Sequence, residues 1–170
     1  MKRRDALVLA AAPLLLPSAP ARAAPAQPGQ PVDWPDVTLL DGARLGAAQL
    51  HAQPAVVVFW TTSCPFCRRH NQHVEKLHRA ALAAGSPLRV LGVAREKDAA
   101  LVSRYARQQG YSFPITLDHA PLSAALSQRK VIPLTAVVDA QGRLKQVLPG
   151  EMFEEDVLEL LALAAKGSRS

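Results

Sequence analysis

Cysteine is scarce in this 170-residue chain: there are two, and none precedes Cys64. That excludes a lipid anchor carried on an N-terminal cysteine. The two cysteines stand only two residues apart, and a disulfide braces a fold most when it closes a long loop, so the pair points to chemistry more than to stapling. A membrane-spanning run is also missing. The apolar stretch at the N-terminus, Ala6 to Leu16, is interrupted by Pro13 and falls well short of the ~20 residues a bilayer demands. The sequence has no internal repeat and no long charge block, so nucleic-acid binding finds no support.

The N-terminus is an address. Lys2, Arg3 and Arg4 precede the apolar stretch, and Pro17, Pro20 and the small-residue tripeptide Ala21-Arg22-Ala23 follow it. Charged, apolar and small in that order is a secretory signal peptide with cleavage expected near Ala23. The paired arginines resemble a twin-arginine signal, with Ala6-Leu7 where Phe-Leu is usual, and the general secretory route fits equally. Removing residues 1–23 lowers the formal charge from +6 to +3 and leaves 147 residues, a comfortable length for one domain with its own core. The mature protein is expected to be periplasmic and without a membrane anchor. Residues 24–31, rich in Pro, Ala and Gln, read as a flexible lead-in, and residues 32–170 as the domain.

Within that domain, Val37 to Leu40, a turn at Asp41-Gly42 and the segment through Leu50 read as a short strand pair or a strand and turn. The unbroken run Ala55-Val56-Val57-Val58-Phe59-Trp60 suits a central strand covered on both faces. A helical pattern from Cys67 to about Ala84 ends at Gly85 and Pro87. Leu88 to Val93 predicts a second buried strand. Lys97 to Gln109 predicts a helix with Asp98 near its start and Gly110 past its end. A short strand over Phe113 to Asp118 and a helix opening at Pro121 follow, then a hairpin of Val131 to Asp139 with Arg143 to Leu148, and a last helix from Phe153 to about Lys166. This alternation predicts an α/β fold.

The chemistry lies at the first strand-to-helix junction, Thr61-Thr62-Ser63-Cys64-Pro65-Phe66-Cys67. Cys64 falls at the N-cap, with Pro65 at the first helical position, where its missing N–H costs nothing. Unpaired amides and the helix dipole favour a thiolate there, making Cys64 the nucleophile. Cys67, three residues on, can reach back and resolve a mixed disulfide. Half of a zinc site is the competing reading, with His70, His73 and His78 as candidate ligands. On a helix His70 lies about 60° from Cys67 and His73 about 240°, so the set does not converge. His70 shares the core-facing stripe with Cys67, Val74, Leu77 and Ala81. It is either a buried filler or a proton-handling cation that stabilises the reduced pair. Arg68 and Arg69 read as a solvated face.

FWTTSCPFC after a valine-rich strand, GVAREKD, FPITLD and VIPLTAVVDAQGRL together resemble the TlpA/ResA-like branch of the thioredoxin superfamily over nearly the whole mature chain. The resemblance implies a thioredoxin fold: a central mixed sheet flanked by helices, an N-terminal strand extension and a central αβ insertion. It implies a thiol–disulfide oxidoreductase with a redox-active Cys64–Cys67 disulfide and neither cofactor nor metal. Trp60, Pro65, Phe66, Ile132 and Pro133 would support the site, with Pro133 cis and the Ile132 backbone open to an extended client segment. Implied partners are cysteine-containing envelope proteins, in cytochrome c maturation or among metallochaperone thiols, and an electron donor in the membrane. The sequence departs from the pattern in three places. Val58 stands where thioredoxins bury an acid, Ser63 where Trp is common, and His70 where reductive members often carry Glu. The sequence does not place Glu96, a possible substitute acid. Two rival functions are a thiol peroxidase, whose T-x-x-C element is present but whose upstream proline is Val57, and a copper-handling metallochaperone, for which CxxC is the unusual spacing.

Overall fold

A computed structural model describes residues 24–51 and 53–165; the signal peptide expected at 1–23 lies outside the described residues. The elements run β1 (Val37–Thr38), β2 (Arg44–Leu45), α1 (Ala47–Leu50), β3 (Ala55–Trp60), α2 (Pro65–Ala83), β4 (Arg89–Ala94), α3 (Ala99–Gln109), β5 (Ile115–Thr116), α4 (His119–Leu126), β6 (Leu134–Val138), β7 (Leu144–Pro149) and α5 (Glu154–Ala165). Five strands form one mixed sheet in the order β5-β4-β3-β6-β7, parallel between β3, β4 and β5 and antiparallel between β3, β6 and β7. This is the thioredoxin fold.

The apolar run Ala55–Trp60 is the middle strand, and all six of its residues are buried. Alternation sends Val56, Val58 and Trp60 into a core with α2, α3 and α5, where Val74, Leu77, Val102, Val157 and Leu160 meet them. Ala55, Val57 and Phe59 face the other way, toward Leu122 and Leu126 of α4 and toward Trp34, Val37 and Leu50. Gly92 of β4 makes room for this packing, because a Cβ there would lie 2.7 Å from the Phe113 ring and 3.1 Å from the Trp60 indole nitrogen. Helix α3 is closed as its sequence predicts. The Asp98 carboxylate accepts the Ala100 and Leu101 N–H groups, and Gly110 ends it in the left-handed region at φ 72°.

Two expectations change. Helix α4 begins at His119, after Asp118, two residues before Pro121; the proline sits in the first turn, where its missing N–H is not needed. Residues 24–31, expected as a flexible lead-in, are tied down. Ala26 N–H donates to Ala125 (3.0 Å) and Gly29 N–H to Leu144 (2.7 Å), Leu144 N–H returns to Gln30 (2.9 Å), and Pro31 bridges Arg143. Helix α4 and the open edge at the start of β7 offer these peptide groups partners that composition does not reveal. At the opposite edge Leu39 bridges Thr116 and Leu40 N–H donates to Ile115 (2.8 Å). The N-terminal segment thus crosses the Phe59 side of the sheet from one edge strand to the other.

Candidate active site

Strand β3 ends at Trp60, and the loop Thr61–Ser63 delivers Cys64 to the N-cap of α2, with Pro65 at the start of the helix. The Cys64 sulfur accepts the Cys67 N–H at 3.1 Å, one of the amides a helix leaves unpaired at its first turn. Cys64 and Cys67 are joined as a disulfide. Their access differs: Cys64 is partly exposed, whereas Cys67 is wholly buried. A shallow groove of about 200 Å³ beside Cys64 is lined by Ser63, Arg68, Tyr105 and Gln109. The loop is held from outside by Glu96, which accepts the Thr62 N–H at 2.5 Å. The acid that sequence could not locate therefore braces the approach to Cys64.

Ile132–Pro133 is a cis peptide. Register places it beside the cysteine loop, since Leu134 pairs with Phe59 at the end of β3. Pro133 is buried and Ile132 half-buried, and the Pro133 carbonyl accepts Gly150 N–H at 2.8 Å. The stretch leading into it is fixed by Arg95, whose guanidinium donates to the carbonyls of Lys130 (2.9 Å) and Arg129 (3.0 Å) while lying 5.3 Å from the centre of the Phe59 ring. Burial lowers the Arg95 pKa.

Phe66, inside the motif, is 55% exposed. The Arg69 guanidinium sits 5.0 Å from its ring centre and grips Glu151 through two bonds of 2.7 and 2.6 Å. That bidentate pairing raises the Arg69 pKa and lowers that of Glu151. Trp60, expected as support for the site, is fully buried and acts by packing, against Tyr105 at 5.8 Å and edge-on to Tyr111 at 5.9 Å. Tyr111 hydroxyl donates to the Arg68 carbonyl (3.3 Å), tying this aromatic group to α2. Burial, with Tyr105 second, raises the Tyr111 pKa.

His70 is fully buried. Its Nδ1 accepts the Met152 N–H at 3.3 Å, so Nε2 carries the proton and donates to Thr135 Oγ1 at 3.0 Å. Burial first, then the nearby His73, lowers its pKa to about 4, with Glu151 opposing. At neutral pH the ring is uncharged, so of the two readings of this position, buried filler or cation, the geometry matches the first: a neutral, doubly bonded imidazole. His73 is half-buried and donates from Nδ1 to the Met152 carbonyl at 3.2 Å. Thr135 pairs in register with Val58, so the His70–Thr135 bond lies across from the position where thioredoxins bury an acid. Arg95, Thr135, Tyr105, Tyr111 and Met152 escaped sequence reading because each contact spans tens of residues. Among the described residues no group of three or more His, Cys, Asp or Glu side chains is arranged to hold a metal ion.

Comparison with known proteins agrees with this geometry. The model of the Redoxin family matches residues 27–161. The thiol-disulfide oxidoreductase ResA of Halalkalibacterium halodurans is 27% identical over 124 residues, covering 73% of this chain and 69% of that protein. Among solved structures, a secreted thiol-disulfide isomerase from Corynebacterium glutamicum superposes with a TM-score of 0.70 at 25% identity, over 78% of this chain and 84% of that one. A thiol:disulfide interchange protein of the thioredoxin family from Chlorobium tepidum gives 0.69 at 24% identity, over 86% and 99%.

Proposed function

The chain belongs to the Redoxin family and is a thiol–disulfide oxidoreductase of the ResA kind; from that premise we propose that it reduces disulfides of exported proteins, with Cys64 as attacking thiolate and Cys67 as resolving thiol. The observation that carries the order of attack is the difference in access, Cys64 at the surface and Cys67 wholly buried. The Cys67 N–H on the Cys64 sulfur and the positive end of α2 favour a thiolate at Cys64.

In the reaction the Cys64 thiolate attacks one sulfur of a client disulfide, forming a mixed disulfide, and the released client thiolate takes up a proton. Cys67, losing its proton, then attacks the Cys64 sulfur, closing the Cys64–Cys67 bond and freeing the second client thiolate. Two electrons pass to the client, and a reductant on the membrane side restores the dithiol. The reductive direction is supported by the neutrality of His70, since an uncharged ring adds no cation to the field that would hold the pair reduced. Ile132 and Pro133 line the position for the extended client segment, and the exposed Phe66 inside the motif adds apolar surface. Residues 1–23 act as the export signal and 32–170 as a single thioredoxin-like domain. The clients are cysteine-containing proteins of the envelope, among them apocytochrome c or metallochaperone thiols.

Two measurements test this. Cys67→Ser should accumulate mixed disulfides with clients and Cys64→Ser none; trapping by Cys64→Ser instead would reverse the order of attack. Equilibration with dithiothreitol buffers should give a potential near that of thioredoxin, about −270 mV, whereas a value near that of DsbA, about −120 mV, would make the protein an oxidant.

A further inference from the structure

Two polar side chains flank the buried Cys67 one turn further along α2. Around an ideal helix His70 lies about 60° to one side of Cys67 and Asn71 about 40° to the other. Both are fully buried, but they differ in what they bond. His70 is saturated: Nδ1 accepts the Met152 N–H and Nε2 donates to Thr135, so the ring keeps no lone pair for a sulfur. Asn71 is the opposite case, since neither its amide nitrogen nor its amide oxygen has a hydrogen-bond partner. The Tyr111 hydroxyl, kept protonated chiefly by its burial, feels this amide, which pulls the other way, yet it donates to the Arg68 carbonyl instead.

A buried amide left unbonded is destabilising, and an aliphatic side chain in its place would carry no such penalty. Helical side chains lean back toward the preceding turn, which for Asn71 is the turn of Cys67. While the disulfide is closed the Cys67 sulfur is committed to Cys64. Once it opens, Cys67 is a buried thiol that must ionise to react. The other groups on this face are apolar or engaged. Strand β3 brings Val56, Val58 and Trp60, and α5 brings Val157 and Leu160. Glu75 is held by Ser112 and Arg79, Glu151 by Arg69, and Glu96 accepts the Thr62 N–H in the cysteine loop.

We propose that Asn71 is a catalytic residue of the resolving step, its amide N–H donating to the Cys67 sulfur as that sulfur becomes a thiolate. The inference rests on Cys67 being the resolving thiol. In the step the Cys67 S–H bond breaks and the sulfur's electron pair forms the bond to Cys64. The bond from Cys64 to the client sulfur breaks, and the client sulfur leaves with that pair and takes up one proton, so no further reactant is consumed. A hydrogen bond to the charged form favours it, which eases the passage through a buried thiolate.

Rapid mixing of the reduced mature protein with an equimolar amount of dithiobis-nitrobenzoate releases coloured thiolate twice, at attack by Cys64 and at resolution by Cys67. Asn71→Leu should leave the first release within about twofold and slow the second about tenfold. Asn71→Ala, which needs no extra room, should do the same. In Cys64→Ser, where Cys67 is the only sulfur of the pair, adding Asn71→Leu should move the appearance of thiolate absorbance upward by about one pH unit. A second release at the unaltered rate would overturn the proposal. Equal slowing of both releases would also overturn it, marking Asn71 as packing alone. So would a thiolate titration indifferent to Asn71 that moves with Glu96→Gln, because control of Cys67 would then belong to the loop acid. The titration involves one sulfur and is independent of the order of attack. If trapping by Cys64→Ser reverses that order while the titration still shifts, the Asn71–Cys67 bond stands and only the order fails.

Discussion

The two faces of the sheet are made by alternate residues of the same strands, yet they bury different things. Val56, Val58 and Trp60 look toward α2, where His70 and Glu75 are buried and bonded to groups far away in sequence, Thr135 and Met152 for His70 and Ser112 for Glu75, which also takes Arg79 one turn along the helix. Ala55, Val57 and Phe59 look toward Leu91, Leu122, Leu134 and Ala136, an aliphatic layer. Its side of the molecule carries Thr116 on the edge strand β5, bonded to the Thr38 carbonyl at 2.7 Å. The contrast teaches that polar groups are buried where the active-site helix must be held in one orientation. A directional bond fixes a helix in a way that oil-like contact does not.

The largest test of that contrast is a carboxylate placed on each face in turn. Val57→Asp puts an unpaired acid among aliphatic side chains and is expected to remove more than about 4 kcal/mol of stability. Val58→Asp, beside the Thr135–His70 pair, should lose about half as much, because a protonatable imidazole is close at hand. Urea unfolding of both variants checks this, and equal losses would erase the distinction between the faces.

Acid provides a smaller effect confined to the α2 face. His70 binds a proton with a pKa of about 4 in the folded protein against 6.5 when free, so the unfolded chain takes up the proton first as pH falls. Its contribution is complete above pH 6.5 and lost as pH drops toward 4, a decline of about 3 kcal/mol. Denaturant unfolding of the oxidised protein across that window should show it. His70→Gln should flatten that slope, and an unchanged slope would move its origin elsewhere. The smallest effect is local. Arg95→Ala frees the carbonyls of Arg129 and Lys130, and amide exchange at Val131 and Ile132 should quicken severalfold while the amides of β3 stay protected. No change at those two sites would mean that the stretch is held by something other than the guanidinium.

How much of this could be read from the chain depends on distance along it. Ala55–Trp60 is legible because six apolar residues in a row leave a strand no exposed face, and Cys64-Pro65 at its far end marks a helix start through the proline alone. Asp98 and Gly110 punctuate α3 in the same local way. The state of His70 was not legible. Spacing puts it on the buried stripe, but how completely it is desolvated, which keeps it neutral, and the bonds to Thr135 and Met152 that fix its tautomer, 65 and 82 residues away, are set by tertiary packing. Arg129 and Lys130 look like any solvated pair until Arg95, more than thirty residues earlier, is seen to hold their carbonyls.

The segment that crosses from β7 to β5 bears on solubility as well as shape. A five-stranded sheet has two raw borders, each able to accept a strand from another molecule. Residues 29–32 occupy the start of one and Leu39–Leu40 the other, so this stretch works as a hem along both. A chain trimmed back to Gly46 would keep both cysteines, the cis proline and the histidines, and would still lose its protection against stacking edge to edge.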